Sequence, residues 1–527
     1  MFPFAKQFSL RRTPQSEPIP RTVPNAAGGH AFPVDDWTRL ARFLVLGSEG
    51  GSFYAGERAL TRDNAAAVLR CLAADGARAV AAIVAVSEGG RAPKPDPAIF
   101  ALALAAGAES LETRRAALAA LPRVCRTGTH LFQFAASVEA SRGWGRSLRR
   151  AVGRWYLDRP VDAAAFQAVK VRNRAGWTHR DLLRLAHPET DEPARKALFD
   201  WICRGTLAAE APALVHAFAA AQAPGLDPEG AAALVRAHRL PWEALPTGLL
   251  ASRVVNEALL EGMPVGALVR QLGRLTAAGV VAPFSPGTAH VVAVLSDRER
   301  LLKARLHPMA LLVALKTYAS GRGVLGRLAW EPVAAVVEAL NAAFYTAFRA
   351  VEPTGRRLVL ALDVSGSMAS GRVAGSGLTP REAAAAMALV TAATEERWQV
   401  VGFTGGEAGL TPLPLGPSLR LDAAVAATAG LPFGSTDCAL PMRWALARGI
   451  QADAFVVYTD SETWAGPVHP VQALREYREK TGIPAKLVVV GLVSNGFSIA
   501  DPDDAGMLDV VGFDAAAPAV IADFLRA

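Results

Sequence analysis

The strongest constraint on the fold is a change of pattern at Val351-Glu352-Pro353-Thr354-Gly355. Before it, from about Asp36 to Phe348, apolar residues recur at three- and four-residue spacing, and Gly, Pro or Asp interrupts them about every 15–25 residues. That spacing lines one face of a helix. Thr61–Ala73, Arg114–Leu121, Arg195–Cys203, Val254–Leu260 and His307–Tyr318 are examples, and no period-two alternation competes with them. Consecutive short helices over about 300 residues suggest stacked helix pairs, although no fixed repeat emerges and an irregular bundle stays open. After residue 355 the periods alternate. Arg356–Leu362, Gln399–Phe403, Ala454–Tyr458 and Lys486–Gly491 read as buried strands. Pro380–Arg397, Asp437–Arg448, Pro470–Lys480 and Ala516–Leu525 read as helices between and after them, the first opened by a capping box of Thr379 and Glu382 with Pro380 at N1. Such alternation predicts a doubly wound, parallel sheet with helices on both faces. The expected division is therefore an extended arm over 1–35, where six prolines forbid a long helix, a helical region over 36–355 and an α/β domain over 356–527.

Charge follows the same boundary. Residues 356–527 carry 13 Lys and Arg against 18 Asp and Glu, leaving 43 against 30 in residues 1–355, so a formal +8 divides into about −5 and +13. A basic region beside an acidic one points the first toward a polyanion. The four cysteines, Cys71, Cys125, Cys203 and Cys438, are scattered and form no zinc-type pair, which fits a reduced cytoplasm. Met1–Pro24 shows no apolar signal core, and Ala277–Ser296 is too polar to span a bilayer, so neither secretion nor a membrane is expected.

The first strand of the α/β domain ends in Asp363-Val364-Ser365-Gly366-Ser367. In an open α/β sheet, ligands bind beyond the carboxyl ends of the strands. Asp363, Ser365 and Ser367 are spaced to converge there, Thr436 opens a later helix, and Asp460 directly follows another strand. By itself the first motif could be an N-capping turn. Together the five make a hard oxygen site suited to a divalent ion, Mg²⁺ above all, with Mn²⁺ or Ca²⁺ as substitutes. No base or nucleophile accompanies it, and neither a second carboxylate cluster nor a phosphate loop appears, so an enzyme is not expected.

Arg142 to Arg184 holds eleven Lys and Arg against three Asp. Arg142, Arg146, Arg149 and Arg150 are spaced to share one helix face, and Lys170, Arg172, Arg174, Arg180, Arg184 and His187 follow. Cations along a ridge neutralise phosphates. The interleaved Trp144, Trp155, Tyr156 and Trp177 could stack on bases, but core packing is the simpler reading for them.

Several stretches resemble the Ro autoantigen family, the TROVE-module proteins of Ro ribonucleoproteins. They are Arg174–His187 (RAGWTHRDLLRLAH), Lys303–Trp330, Ala343–Arg356, Gly434–Met442 (GSTDCALPM), Val457–Gly466 (VYTDSETWAG) and Asn495–Phe513. The resemblance spans nearly everything past residue 36. It implies a ring of HEAT-like repeats closed by a von Willebrand A-type domain. It also implies small non-coding Y RNA on a basic outer surface, single-stranded ends of misfolded RNA in a central hole, and work in RNA quality control and stress survival with an exoribonuclease partner. DNA is not implied. Lys170, Arg174 and His187 match the family's Y RNA positions, and Asp363, Ser365, Ser367, Thr436 and Asp460 match its metal-ion-dependent adhesion site. The main rival is an adaptor that grips a partner's acidic side chain through that metal.

Overall fold

In the computed structural model, four of the five helical examples lie inside helices, at Glu57–Ala74, Leu111–Val124, Pro193–Arg204 and Arg253–Glu261, and the fifth starts one residue early, at the N-cap His307 of Pro308–Ala319. The structure describes residues 12–527 except 50, 142, 305, 324–326, 348–351, 374–376, 407–408, 417–418, 421–422, 425–426 and 429–433. Short polar residues start many of the helices, as Asp75, Ser110, Asp227, Ser285 and Asp297 do by accepting an N–H of the first turn. Helix Gly76–Gly89 packs on Leu111–Val124, and Asp96–Ala106 on Gly128–Ser141, so helices here pair with the next but one.

By packing, the chain forms two units, Val68–Ala347 and a second made of Met1–Ala67 with Phe348–Ala527. This differs from the division at 35 and 355 drawn from the sequence. Residues 1–11 of the arm lie outside the described residues, but the rest of it is built into the second unit. Strand β1 (Val23–Pro24) pairs with β2 (His30–Pro33), whose Phe32 sits in the α/β core at 4% exposure. The following helix, Asp36–Leu46, buries Arg42, which donates to Asp509 at 2.6 Å and to the carbonyl of Phe497 at 2.7 Å. Those partners lie more than 450 residues away, beyond the reach of any local pattern.

The helical unit contains one hairpin that the periodicity did not show, β3 (Asn173–Arg174) with β4 (Trp177–Thr178). Its turn places Ala175 at φ 52° and Gly176 at φ 80°, the left-handed pair that suits the twist of a two-residue hairpin.

In the second unit, β5 (Arg357–Asp363), β6 (Arg397–Phe403), β7 (Leu410–Leu413), β8 (Ala454–Thr459), β9 (Lys486–Gly491) and β11 (Met507–Val511) form one sheet in the order β11-β9-β8-β5-β6-β7. β10 (Phe497–Ser498) pairs with β2 instead. All neighbours in the six-stranded sheet are parallel except β6 and β7, so the sheet is mixed. β8 is buried along its whole length, as a strand covered on both faces must be. The capping box of Thr379 and Glu382 forms, but its helix stops at Thr394, short of the expected Arg397. The buried Glu395 accepts from the Thr354 N–H and hydroxyl, and Arg397 already pairs in β6.

Candidate metal centre and nucleic-acid interface

β5 and β8 are parallel neighbours with Leu362 beside Tyr458, so Asp363 and Asp460 emerge together at their carboxyl ends. The Asp363 carboxylate accepts from Ser365 N at 2.9 Å and from the Thr459 hydroxyl at 2.7 Å, and the Ser365 and Ser367 hydroxyls are 3.1 Å apart. Ser367 lies close enough to Asp460 to lower its pKa. Gly366 N reaches Gly434 O at 3.4 Å, which brings the loop carrying Thr436 alongside. Each of Asp363, Ser365, Ser367, Thr436 and Asp460 is at most 5% exposed. The structure thus gathers all five residues expected at this end.

The electrostatics of the cluster favour a cation. Burial raises the pKa of Asp363, against the opposing pull of its hydrogen bonds. Burial, then the neighbouring Asp363 charge, pushes Asp460 up to about 7. Two acids crowded into an apolar setting resist sharing two negative charges, and a divalent ion relieves that repulsion. Among the described residues no group of three His, Cys, Asp or Glu gathers. The donor set is therefore two carboxylates with hydroxyls, which fits a hard ion.

Four further residues shape this end. The buried Arg381 donates to the carbonyls of Val364 and Ser365, holding the motif's backbone, and its charge opposes the rise of Asp363. Gln15, fully buried, donates to Asp437 at 2.7 Å and to Val468 O at 2.8 Å. Glu462 stands two residues after Asp460 but accepts from the N–H groups of Ala26 and Ala27, so the arm consumes that carboxylate. Tyr54 stands near Ser367 and Asp460, and its own pKa is pushed up to about 12 by burial and by Asp460. The cavity between residues 47–49 and 51–53 and Ser367 and Asp460 has a volume of only about 20 Å³, room for one water. Thr459 alone of the missed groups had a sequence signal, as the hydroxyl directly before Asp460.

The basic stretch is assembled differently. The expected single helix face of four arginines does not form. One helix ends at Ser141, Gly143 turns at φ 72°, and the next helix starts at Arg146. Arg142 itself lies outside the described residues. Arg146, Arg149 and Arg150 are exposed on that second helix. Lys170 is half-buried as the last residue of helix Val161–Lys170, its Nζ 5.5 Å from the Phe166 ring. Arg172 and Arg174 stand exposed on the hairpin side, Arg180 and Arg184 project from helix His179–Ala186, and His187 closes that helix in the left-handed region. Among the described residues none of these cations forms a salt bridge, whereas the nearby Arg195 and Arg204 are paired with Glu192 and Asp200.

The aromatics went inward. Trp155, Tyr156 and Trp177 are at most 8% exposed, and Trp144 packs 5.2 Å from Trp177. His179 is buried between the Tyr156 hydroxyl at 2.8 Å and Gln167 O at 3.2 Å, and burial lowers its pKa to about 4. It is a neutral strut that ties the hairpin's helix to the scaffold, and so gives Arg180 and Arg184 a rigid base.

A sequence profile for the Ro60 vWA domain matches residues 357–525, and one for the TROVE domain matches residues 23–213 and 212–320. The chain is 45% identical over 520 residues to the RNA-binding protein RO60 of Deinococcus radiodurans, covering 97% of each. It is 35% identical over 584 residues to the RNA-binding protein RO60 of Caenorhabditis elegans, covering 95% of this chain and 90% of that one. The crystal structure of the Deinococcus radiodurans RO (RSR) protein superposes with a TM-score of 0.70 at 44% identity, over 93% of this chain and 99% of that one.

Proposed function

This chain belongs to the Ro60 family, a TROVE domain joined to a Ro60-type vWA domain, and we propose that it is a non-catalytic RNA-binding protein for small structured RNAs. The observation that carries the reading is the run of cations without acidic partners from Arg146 to His187, most of them exposed, mounted on buried aromatics. Phosphate binding needs such cations, and each contact releases counterions. Lys170, Arg174 and His187, with Arg172, Arg180 and the Arg146–Arg150 helix, are the proposed phosphate contacts. The ligands proposed are Y-type non-coding RNA and free ends of misfolded RNA, in a quality-control role beside an exoribonuclease. The four free cysteines suit a reducing cytoplasm, and no described helix is long and apolar enough to cross a membrane.

At the metal end, Asp363, Ser365, Ser367, Thr436 and Asp460 would hold Mg²⁺, which would neutralise the paired acids and lock the strand-end loops. The adaptor reading, in which a partner's carboxylate completes the metal, has to contend with Tyr54 and the narrow cavity over Ser367. The deciding experiment is gentle purification from the native host, sequencing of bound nucleic acid, and gel shifts over a range of salt. One enriched small RNA whose affinity falls steeply with salt supports the proposal. A nucleic-acid-free protein that binds no host RNA at low salt overturns it.

A further inference from the structure

A cavity of about 620 Å³ opens beside the basic face, between the hairpin's helix, the end of helix Val161–Lys170 and the helices Pro193–Arg204 and Ala213–Ala221. Small-ligand sites span about 300–1,000 Å³. Its lining mixes two chemistries. Arg172, Arg180 and Arg184 supply exposed cations, while the half-buried Trp201 and the largely buried Phe218, packed edge to face with ring centroids 5.7 Å apart, supply its aromatic side. The Arg172 guanidinium lies 5.1 Å over the Phe218 ring, so the cation that lines the cavity is backed by an aromatic. A surface that only grips a duplex backbone needs cations and no cavity. An unstacked base needs a flat platform, and Arg planes and aromatic rings both provide one.

We infer that this cavity takes one nucleoside monophosphate, its base against the Arg172–Phe218 platform and Trp201, its phosphate against Arg180 and Arg184. This rests on the RNA reading above and deepens it, since the nucleotide is either an unpaired residue of bound RNA or a free mononucleotide. A base held there is lifted out of its stack, so RNA offering an unpaired residue binds more tightly than blunt duplex of the same length.

Cys203 lines the same cavity and is half-buried, whereas Cys71, Cys125 and Cys438 are buried, so the protein carries its own reporter. The test is the rate of Cys203 alkylation by N-ethylmaleimide, read by peptide mass spectrometry on the full chain freed of RNA by high salt. It is run with buffer, inorganic phosphate, AMP, a single-stranded RNA and a blunt duplex, each RNA at a concentration that saturates a parallel gel shift. Single-stranded RNA should protect Cys203 and the duplex should not. Protection by AMP as well assigns the cavity to free nucleotides too, and protection by RNA alone assigns it to residues within a chain. Cys203→Trp, which places an indole in the cavity, should weaken single-strand binding roughly tenfold, the factor that about 1.4 kcal/mol of stacking supplies, and leave duplex binding unchanged. Equal protection by phosphate or by duplex overturns the proposal, as does no protection by a bound single strand, while the RNA reading survives each of these. If no RNA shifts at all, the RNA reading has failed, and AMP protection then decides the cavity alone.

Discussion

At the metal end, Asp363, Ser365, Ser367, Thr436 and Asp460 are almost wholly hidden, and hydrogen bonds from backbone and hydroxyl groups hold Asp363 and Asp460 in place. On the basic face, Arg146, Arg149, Arg150, Arg174 and Arg180 stand in solvent without an ion-pair partner among the described residues. The first region has met its desolvation cost during folding, so its geometry is fixed before any ligand arrives. The second keeps its charges hydrated and free, so its binding strength comes from counterion release and answers to salt. A buried site should therefore be brittle to mutation and indifferent to salt, and an exposed one the reverse.

The largest expected effect strikes the buried site. Asp363→Ala should abolish Mg²⁺ binding in calorimetry, since it removes one of two carboxylates, and should leave RNA affinity nearly unchanged. Large RNA loss in a folded variant would erase the separation between the two regions. Gly466→Ala comes next. A Cβ there would lie 2.1 Å from Gln15 Nε2 and 2.2 Å from Asp437 Oδ1, and Gln15 is the buried anchor of the arm. The expected cost is about 3 kcal/mol, seen as a lower urea midpoint. A midpoint at the wild-type value would mean that the arm is not seated against Asp437.

On the exposed face, Lys170→Ala with Arg174→Ala should leave stability within about 0.5 kcal/mol. The pair should lower RNA affinity and flatten the plot of log affinity against log salt by about 2, one for each lost phosphate contact. An unchanged slope removes these two residues from the interface. The smallest effect is a tilt in pH dependence. Asp460 has a folded pKa raised to about 7 by burial and by Asp363, above its unfolded value near 3.8, so its neutral form favours the fold. That contribution is complete below about pH 4 and is lost as pH rises through about 7. Mg²⁺ prefers the charged form, so the gain in Tm on adding Mg²⁺ should grow between about pH 5 and pH 8. A gain independent of pH would separate Asp460 from the metal.

The sequence itself determined most of the helices, four of the six strands of the large sheet and much of the metal end. Three- and four-residue spacing placed the helices within a few residues, and short apolar runs placed β5, β6, β8 and β9. The motif Asp363-x-Ser365-x-Ser367 was readable because strand, turn and ligand spacing are all local. Thr436 and Asp460 were readable because parallel strands bring their carboxyl ends to one side. The hairpin at Asn173–Thr178 was not, since two-residue strands leave no alternation to detect and its turn carries Ala175 before Gly176, where Asn, Asp or Gly would be the usual signal. Nor was the break at Gly143, which sits inside a run of charges spaced like one helix face.

Only the tertiary structure decided where the arm goes, and which polar groups support the metal end. Gln15 meets Asp437 across 422 positions, Arg42 meets Asp509 across 467, and the Ala26 and Ala27 amides take Glu462 out of the ligand set. Such pairings depend on which surfaces the finished sheet leaves with unsatisfied polar groups, and those exist only once distant segments have packed. Residue spacing encodes the period of an element. It does not encode the partner that a buried polar side chain will find.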